Sequence, residues 1–62
     1  MKLFMLFYDN GPARFLVFAR DYAEARRLVL NHLQVSYPHI EFERVYDVPE
    51  YTGVARILQE IR

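Results

Sequence analysis

The sequence predicts a small α+β domain of two layers, with its elements in the order ββαβα. Three observations carry this prediction: two apolar runs separated by Asn-Gly, an amphipathic segment after them, and an alternating segment that follows a proline. A chain of 62 residues has room for only one hydrophobic core. We therefore expect residues 1–62 to form a single domain, with one long helix packed on a three-stranded sheet.

The first two strands are predicted to form an N-terminal β-hairpin. After Lys2 and Arg14, residues 2–8 and 14–19 are apolar and rich in aromatic side chains, a composition typical of strands. Between them lies Asp9-Asn10-Gly11-Pro12, in which Asn-Gly readily adopts the two positive φ angles of a type I′ turn. A turn at this place predicts three pairs on the core-facing side: Tyr8 with Ala13, Leu6 with Phe15, and Phe4 with Val17.

One long helix is predicted after the hairpin. Asp21 is a favourable N-cap residue, and Glu24 occupies the third helical position, from which its carboxylate can accept a backbone hydrogen bond. Pro38 disfavours helical backbone at the residue before it, so we expect the helix to end near Ser36. The face predicted to pack on the sheet carries Tyr22, Ala25, Val29, Leu33 and Ser36.

A third strand is predicted over residues 40–48 by the alternation of apolar and acidic side chains. One face is predicted to carry Ile40, Phe42, Tyr46 and Val48, and the other Glu41, Glu43 and Asp47, with an interruption at Arg44-Val45. Residues 54–62 favour a short C-terminal helix, because four apolar residues recur at helical spacing. The alternative is a fourth strand, since a period of two fits this segment almost as well.

The hairpin carries more apolar surface than a single helix can cover. We call the side opposite the predicted core the second hairpin face; it consists of Leu3, Met5, Phe7, Leu16 and Phe18, with Arg14 as its charged member. A large side chain left in water forgoes about 1.5–3 kcal/mol relative to full burial, and such a patch typically marks an interaction site. Three covers are open: the C-terminal segment, a second copy of the chain, or a different protein.

These observations favour a non-enzymatic protein–protein interaction module. Through the second hairpin face it would self-associate, with a dimer favoured, or dock on a larger partner in the manner of an accessory subunit or a small inhibitor. An acidic stripe would strengthen docking on a basic partner surface. That stripe consists of Glu41, Glu43, Asp47 and Glu50.

The alternative function is binding of single-stranded nucleic acid on an aromatic sheet platform. Phe7, Phe18 and Met5 would offer surfaces for base stacking. The phosphate contacts would come from Arg14, Arg20, Arg26 and Arg27. Eight basic and eight acidic residues give a formal net charge of zero, and the acidic third strand would repel phosphate, so nucleic acid is disfavoured as a partner.

The residues that carry chemistry do not form a catalytic or cofactor motif. The absence of cysteine excludes a zinc ribbon and a thiol nucleophile. Ser36 and Thr52 are the only aliphatic hydroxyls, and no nucleophile elbow accompanies them. His32 and His39 lack the i, i+4 spacing of paired ligands on a helix, and Glu41 with Glu43 is typical of a solvated strand face. We expect no catalytic activity, no metal and no cofactor.

The expected location is cytoplasmic, without a membrane partner. No stretch of the sequence reaches the ~18 consecutive apolar residues that a membrane span needs. A chain without cysteine is compatible with a reducing compartment.

Overall fold

The computed structural model describes residues 1–9, 12–34 and 39–62 and shows one helix packed on a four-stranded antiparallel sheet. The predicted α+β class is therefore confirmed. The elements in chain order are β1 (Lys2–Tyr8), β2 (Ala13–Ala19), α1 (Tyr22–Leu33), β3 (Ile40–Asp47) and β4 (Arg56–Ile61). Across the sheet the order is β3-β1-β2-β4, so the hairpin forms the centre and the two later strands form the edges.

The register of the β1–β2 hairpin is the predicted one. Tyr8 pairs with Ala13, Leu6 with Phe15, and Phe4 with Val17. All six side chains are buried beneath α1, and they form the core with Ala19, Ala25 and Val29. The predicted Asn10-Gly11 turn lies outside the described residues.

Helix α1 begins as the sequence predicts. The Asp21 side chain caps the helix by accepting a hydrogen bond from the backbone N–H of Glu24, at 2.9 Å. The Glu24 carboxylate in turn accepts from the backbone N–H of Arg20, at 2.8 Å. Capping of this kind satisfies backbone donors that the first helical turn leaves free. Ala25 and Val29, from the predicted apolar face, are fully buried against the sheet.

The helix ends earlier than expected, at Leu33. Gln34 adopts a left-handed backbone with φ of 55°, and its N–H donates to the carbonyl of Leu30. This arrangement stops the helix by satisfying one of its last carbonyls. The expected end at Ser36 falls outside the described residues. Within the described part of the chain, no helix has the length and apolar character needed to cross a membrane.

The predicted C-terminal helix is wrong, because Arg56–Ile61 forms strand β4, the alternative that the sequence left open. β4 pairs antiparallel with β2 and places Ile57 opposite Val17, which adds an apolar side chain to the helix-facing side. β1 pairs with only one edge of β2, so without β4 the backbone N–H and C=O groups of the other edge would lack partners. β4 forms hydrogen bonds with these groups, which a helix on the surface would not do.

Strand β3 pairs antiparallel with β1 and contains a β-bulge. Leu6 pairs with Phe42 and Met5 pairs with Arg44, so Glu43 is the extra residue between two successive pairs. A bulge of this kind shifts the alternation of side chains by one residue along the rest of the strand.

The bulge changes which side chains of β3 share a face. Val45 pairs with Phe4 and joins Phe42 on the helix-facing side, whereas Tyr46 pairs with Leu3 and lies on the opposite side. The expectation that Tyr46 and Phe42 share a face is therefore wrong. The interrupted alternation of apolar and polar residues at Arg44-Val45 in the sequence results from this bulge.

Two valines on the helix-facing side provide a matched test of this core. Val17 is fully buried on β2, whereas Val45 is 43% exposed on β3. We expect Val17→Ala to lower the free energy of unfolding by about 2 kcal/mol, through lost burial and a residual cavity. Val45→Ala causes the same loss of strand propensity but leaves no enclosed cavity. We therefore expect it to lower the free energy of unfolding by less than about 1 kcal/mol. Urea denaturation at one protein concentration measures both, and equal losses would contradict the packing described.

Candidate interaction surface

The side of the sheet opposite α1 carries the second hairpin face at its centre. Its apolar members Leu3, Met5, Phe7, Leu16 and Phe18 are half-buried, and Arg14 is exposed. The strand registers place neighbours from both edge strands on the same side: Glu41, Arg44 and Tyr46 of β3, and Arg56, Gln59 and Ile61 of β4. We call the second hairpin face together with these six residues the open face.

One end of the open face is covered by the connection between β3 and β4. Residues 48–55 join opposite edges of the sheet, and the ring of Tyr51 stacks on Phe18 with centroids 4.0 Å apart. Gly53 makes room for that ring, because a Cβ there would lie 2.8 Å from the Tyr51 hydroxyl oxygen. The hydroxyl donates to the carbonyl of Val54, at 3.0 Å, which fixes the ring in this place.

The other end of the open face is crossed by an ion pair. Nε of Arg14 lies 3.2 Å from each carboxylate oxygen of Glu43, on the far side of β1. The Arg14 guanidinium carbon also lies 5.3 Å from the centroid of the Phe7 ring. Both charged groups remain in contact with water, so the ion pair contributes little to the stability of the fold. Because the pair lies at one end, the middle of the open face stays uncovered.

The C-terminal segment does not cover the open face. β4 lies beside β2 in the sheet and extends the face sideways. Of the three covers that the sequence left open, a second copy and a different protein remain.

The four residues of the expected acidic stripe are not brought to one face. Glu41 and Glu43 belong to the open-face side, whereas Asp47 pairs with Lys2 on the helix-facing side. Glu50 lies in the turn after β3. The bulge at Glu43 causes this division, and Glu43 is already paired with Arg14.

The hydroxyls and imidazoles singled out in the sequence are dispersed over the structure. Thr52 is exposed in the connection between β3 and β4, and Ser36 lies outside the described residues. Nε2 of His32 lies 2.9 Å from a carboxylate oxygen of Glu60, which joins α1 to β4. Nδ1 of His39 lies 2.5 Å from a carboxylate oxygen of Asp9 at another corner of the sheet.

These two contacts shift the pKa of Glu60 and the pKa of His39. The hydrogen bond from His32, followed by that from Arg62, lowers the pKa of Glu60. The hydrogen bond and the negative charge of Asp9 raise the pKa of His39. In each case the close partner favours the charged form of the shifted group.

A second apolar area, which sequence reasoning missed, lies between α1 and β3. A groove of about 460 Å³ is lined by Lys2, Phe4, Asp21, Tyr22, Phe42 and Val45. The rings of Tyr22 and Phe42 meet edge to face with centroids 5.7 Å apart. Phe42 is nevertheless 49% exposed, because α1 packs chiefly over β2 and β4.

Comparison with known proteins identifies no relative of this chain. No family model matches the chain, and neither curated proteins nor solved structures give a significant match. Function is therefore inferred from the surfaces of this chain alone.

The Glu60 contact generates a prediction about pH. Because folding lowers the pKa of Glu60, its ionised form stabilises the fold above the ordinary carboxyl pKa. This stabilisation is lost as the pH falls through the lowered value. We expect His32→Gln, and to a smaller extent Arg62→Gln, to raise the Glu60 pKa toward its ordinary value. An NMR titration of the Glu60 side-chain carboxyl carbon measures this, and an unchanged pKa in both variants would contradict the described contacts.

Proposed function

We propose that this chain is a non-enzymatic interaction module in which two copies associate through their open faces, sheet against sheet. One observation supports the proposal above all. The large apolar side chains of the second hairpin face lie opposite α1, and the described residues place only Tyr51 and the Arg14–Glu43 pair over the two ends. The apolar middle, around Met5 and Leu16, would gain further burial from a partner.

A second copy fits this surface because an apolar face is complementary to itself. Two identical faces related by a two-fold axis bring the same apolar residues together from both sides, as in most homodimers. The margin of the open face also carries both signs of charge, from Glu41 and Arg44 on β3 and from Arg56 on β4. A second copy therefore presents groups of either sign to the other's margin.

The size of the open face agrees with a small dimer contact. Four strands of about seven residues, spaced by ~4.8 Å and rising ~3.3 Å per residue, give a flat area of about 440 Å² per copy. Protruding side chains raise the accessible area above this flat value. Two copies together therefore approach the lower limit of specific interfaces, about 1,200 Å².

The test is the mass of the protein in solution, measured by sedimentation equilibrium over a range of concentrations. We expect the natural sequence to form dimers and Leu16→Glu to be monomeric. An unpaired carboxylate in an apolar contact costs several kcal/mol, and ~2.8 kcal/mol already weakens association a hundredfold. The variant is expected to remain folded, because Leu16 is half-buried on the open face and is not part of the core.

Val45→Glu is the matched control for this experiment. It introduces the same charge at an exposed valine on the opposite side of the sheet, so dimerisation is expected to persist. Dissociation by Val45→Glu alone would instead assign the contact to the groove between α1 and β3. A folded monomer at every concentration would contradict self-association and favour docking on a larger protein.

A second candidate function, binding of single-stranded nucleic acid, is supported by two arginine–tyrosine pairs at the margins of the open face. Nη1 of Arg44 donates to the hydroxyl of Tyr46 at 3.3 Å, and Nε of Arg56 donates to that of Tyr51 at 3.4 Å. Aromatic rings beside arginines suit base stacking and phosphate contact. By contrast, Arg14, one of the four arginines that the sequence assigned to phosphate contacts, is paired with Glu43.

Fluorescence anisotropy with a labelled oligonucleotide at low salt tests this candidate. If the face binds nucleic acid, replacing both Arg44 and Arg56 with alanine is expected to abolish binding and reduce its salt dependence. Replacing Arg20 and Arg27 with alanine is the comparison, because it changes the charge equally at two exposed arginines outside the open face, one before α1 and one within it. The sequence assigned phosphate contacts to these two arginines as well, so a larger loss in this variant would place binding on the α1 side instead. Equal losses in both double variants would indicate attraction by charge alone, and absence of binding by the natural sequence would exclude this candidate.

A further inference from the structure

Three potential metal ligands meet at one corner of the sheet. Glu41 is two residues beyond His39, so both side chains project on the same side of the chain as it enters β3. Asp9 directly follows Tyr8, which pairs with Ile40, so it stands beside His39 across the strand pair. One ligand atom from each of the three side chains lies within 4.8 Å of the other two.

We propose that Asp9, His39 and Glu41 bind one divalent transition-metal ion of the Zn²⁺ type. One imidazole nitrogen and two carboxylate oxygens form a donor set that borderline ions such as Zn²⁺ accept, with water completing the coordination. The two carboxylates also balance the double positive charge of the ion. This proposal departs from the expectation of no metal, which considered the spacing of the two histidines and not a pairing of β3 with β1.

The geometry requires only small movements of side chains. Ligand bonds of ~2.1 Å at tetrahedral angles hold donor atoms about 3.4 Å apart. Atoms at the 4.8 Å limit of the cluster must therefore approach by little more than 1 Å, and Nδ1 of His39 and the Asp9 oxygen, now 2.5 Å apart, must separate by about 1 Å. All three residues are exposed, with the His39 side chain 64% accessible, so their rotamers can adjust without disturbing the core. The ion would replace the hydrogen bond that now joins Nδ1 of His39 to Asp9.

The other histidine of the chain provides an internal comparison. His32 contacts the carboxylate of Glu60, and the same carboxylate is also paired with Arg62. That group offers one carboxylate and a neighbouring cation, whereas the corner at His39 offers two carboxylates. If any exposed histidine beside an acidic side chain were sufficient to bind Zn²⁺, His32 and His39 would bind it equally.

Isothermal titration calorimetry of the untagged protein with Zn²⁺ tests the proposal. Asp9 raises the pKa of His39 above the usual ~6.5, so the titration is made at about pH 8, where fewer protons compete with the metal. We expect saturable binding of one Zn²⁺ per chain. We expect Zn²⁺ affinity to fall at least about tenfold in each of three variants: His39→Gln, Asp9→Asn and Glu41→Gln. Tenfold is the smaller loss typical of removing a residue that only hydrogen-bonds to a metal ligand, and removal of a ligand itself should cost no less. The amide NMR spectrum of each metal-free variant verifies its fold.

His32→Gln is the matched control and should leave Zn²⁺ affinity unchanged. A large excess of Mg²⁺ should not displace the bound ion, because Mg²⁺ prefers an all-oxygen octahedral shell. The proposal is overturned if Zn²⁺ binding does not saturate, if Asp9→Asn and Glu41→Gln bind as tightly as the natural sequence, or if His32→Gln has the largest effect.

Discussion

The β1–β2 hairpin is apolar on both sides, whereas the fold supplies one helix, and one helix covers one side. The apolar character of the open face follows from this constraint. Helix α1 buries Phe15 and Val17 completely, while Leu16 and Phe18, their neighbours along the same strand, remain half-buried on the other side. Tyr51 and the Arg14–Glu43 pair shield the two ends of that side, but neither brings an apolar layer to its middle.

The parts of the fold that depend on neighbouring residues could be predicted from the sequence. Spacing around Asn10-Gly11 was enough to predict the hairpin register, and the capping residue Asp21 was enough to locate the start of α1. The last element could not be predicted in this way, because Val54–Arg62 fits both periodicities. Its structure is decided by the free edge of β2, a partner some forty residues earlier in the chain. Tertiary pairing of this kind overrides local preference.

The same distinction holds for the candidate sites. The second hairpin face was predictable, since it requires only the hairpin register. The acidic stripe was not, because the bulge at Glu43 separates Glu41 from Asp47. The cluster at His39 was also missed. The spacing of His39 and Glu41 is visible in the sequence, but Asp9 joins them only because β3 pairs with β1, which no local pattern indicates.

The strand order has a consequence for how the chain acquires its structure during synthesis. The hairpin and α1 leave the ribosome before β3 and β4, the strands that form both edges of the sheet. Until residues 40–61 emerge, the nascent chain exposes two unpaired strand edges beside a strongly apolar surface, a combination prone to aggregation. The last third of the sequence thus protects the folding chain, because β3 and β4 pair with backbone N–H and C=O groups of β1 and β2 that would otherwise be exposed.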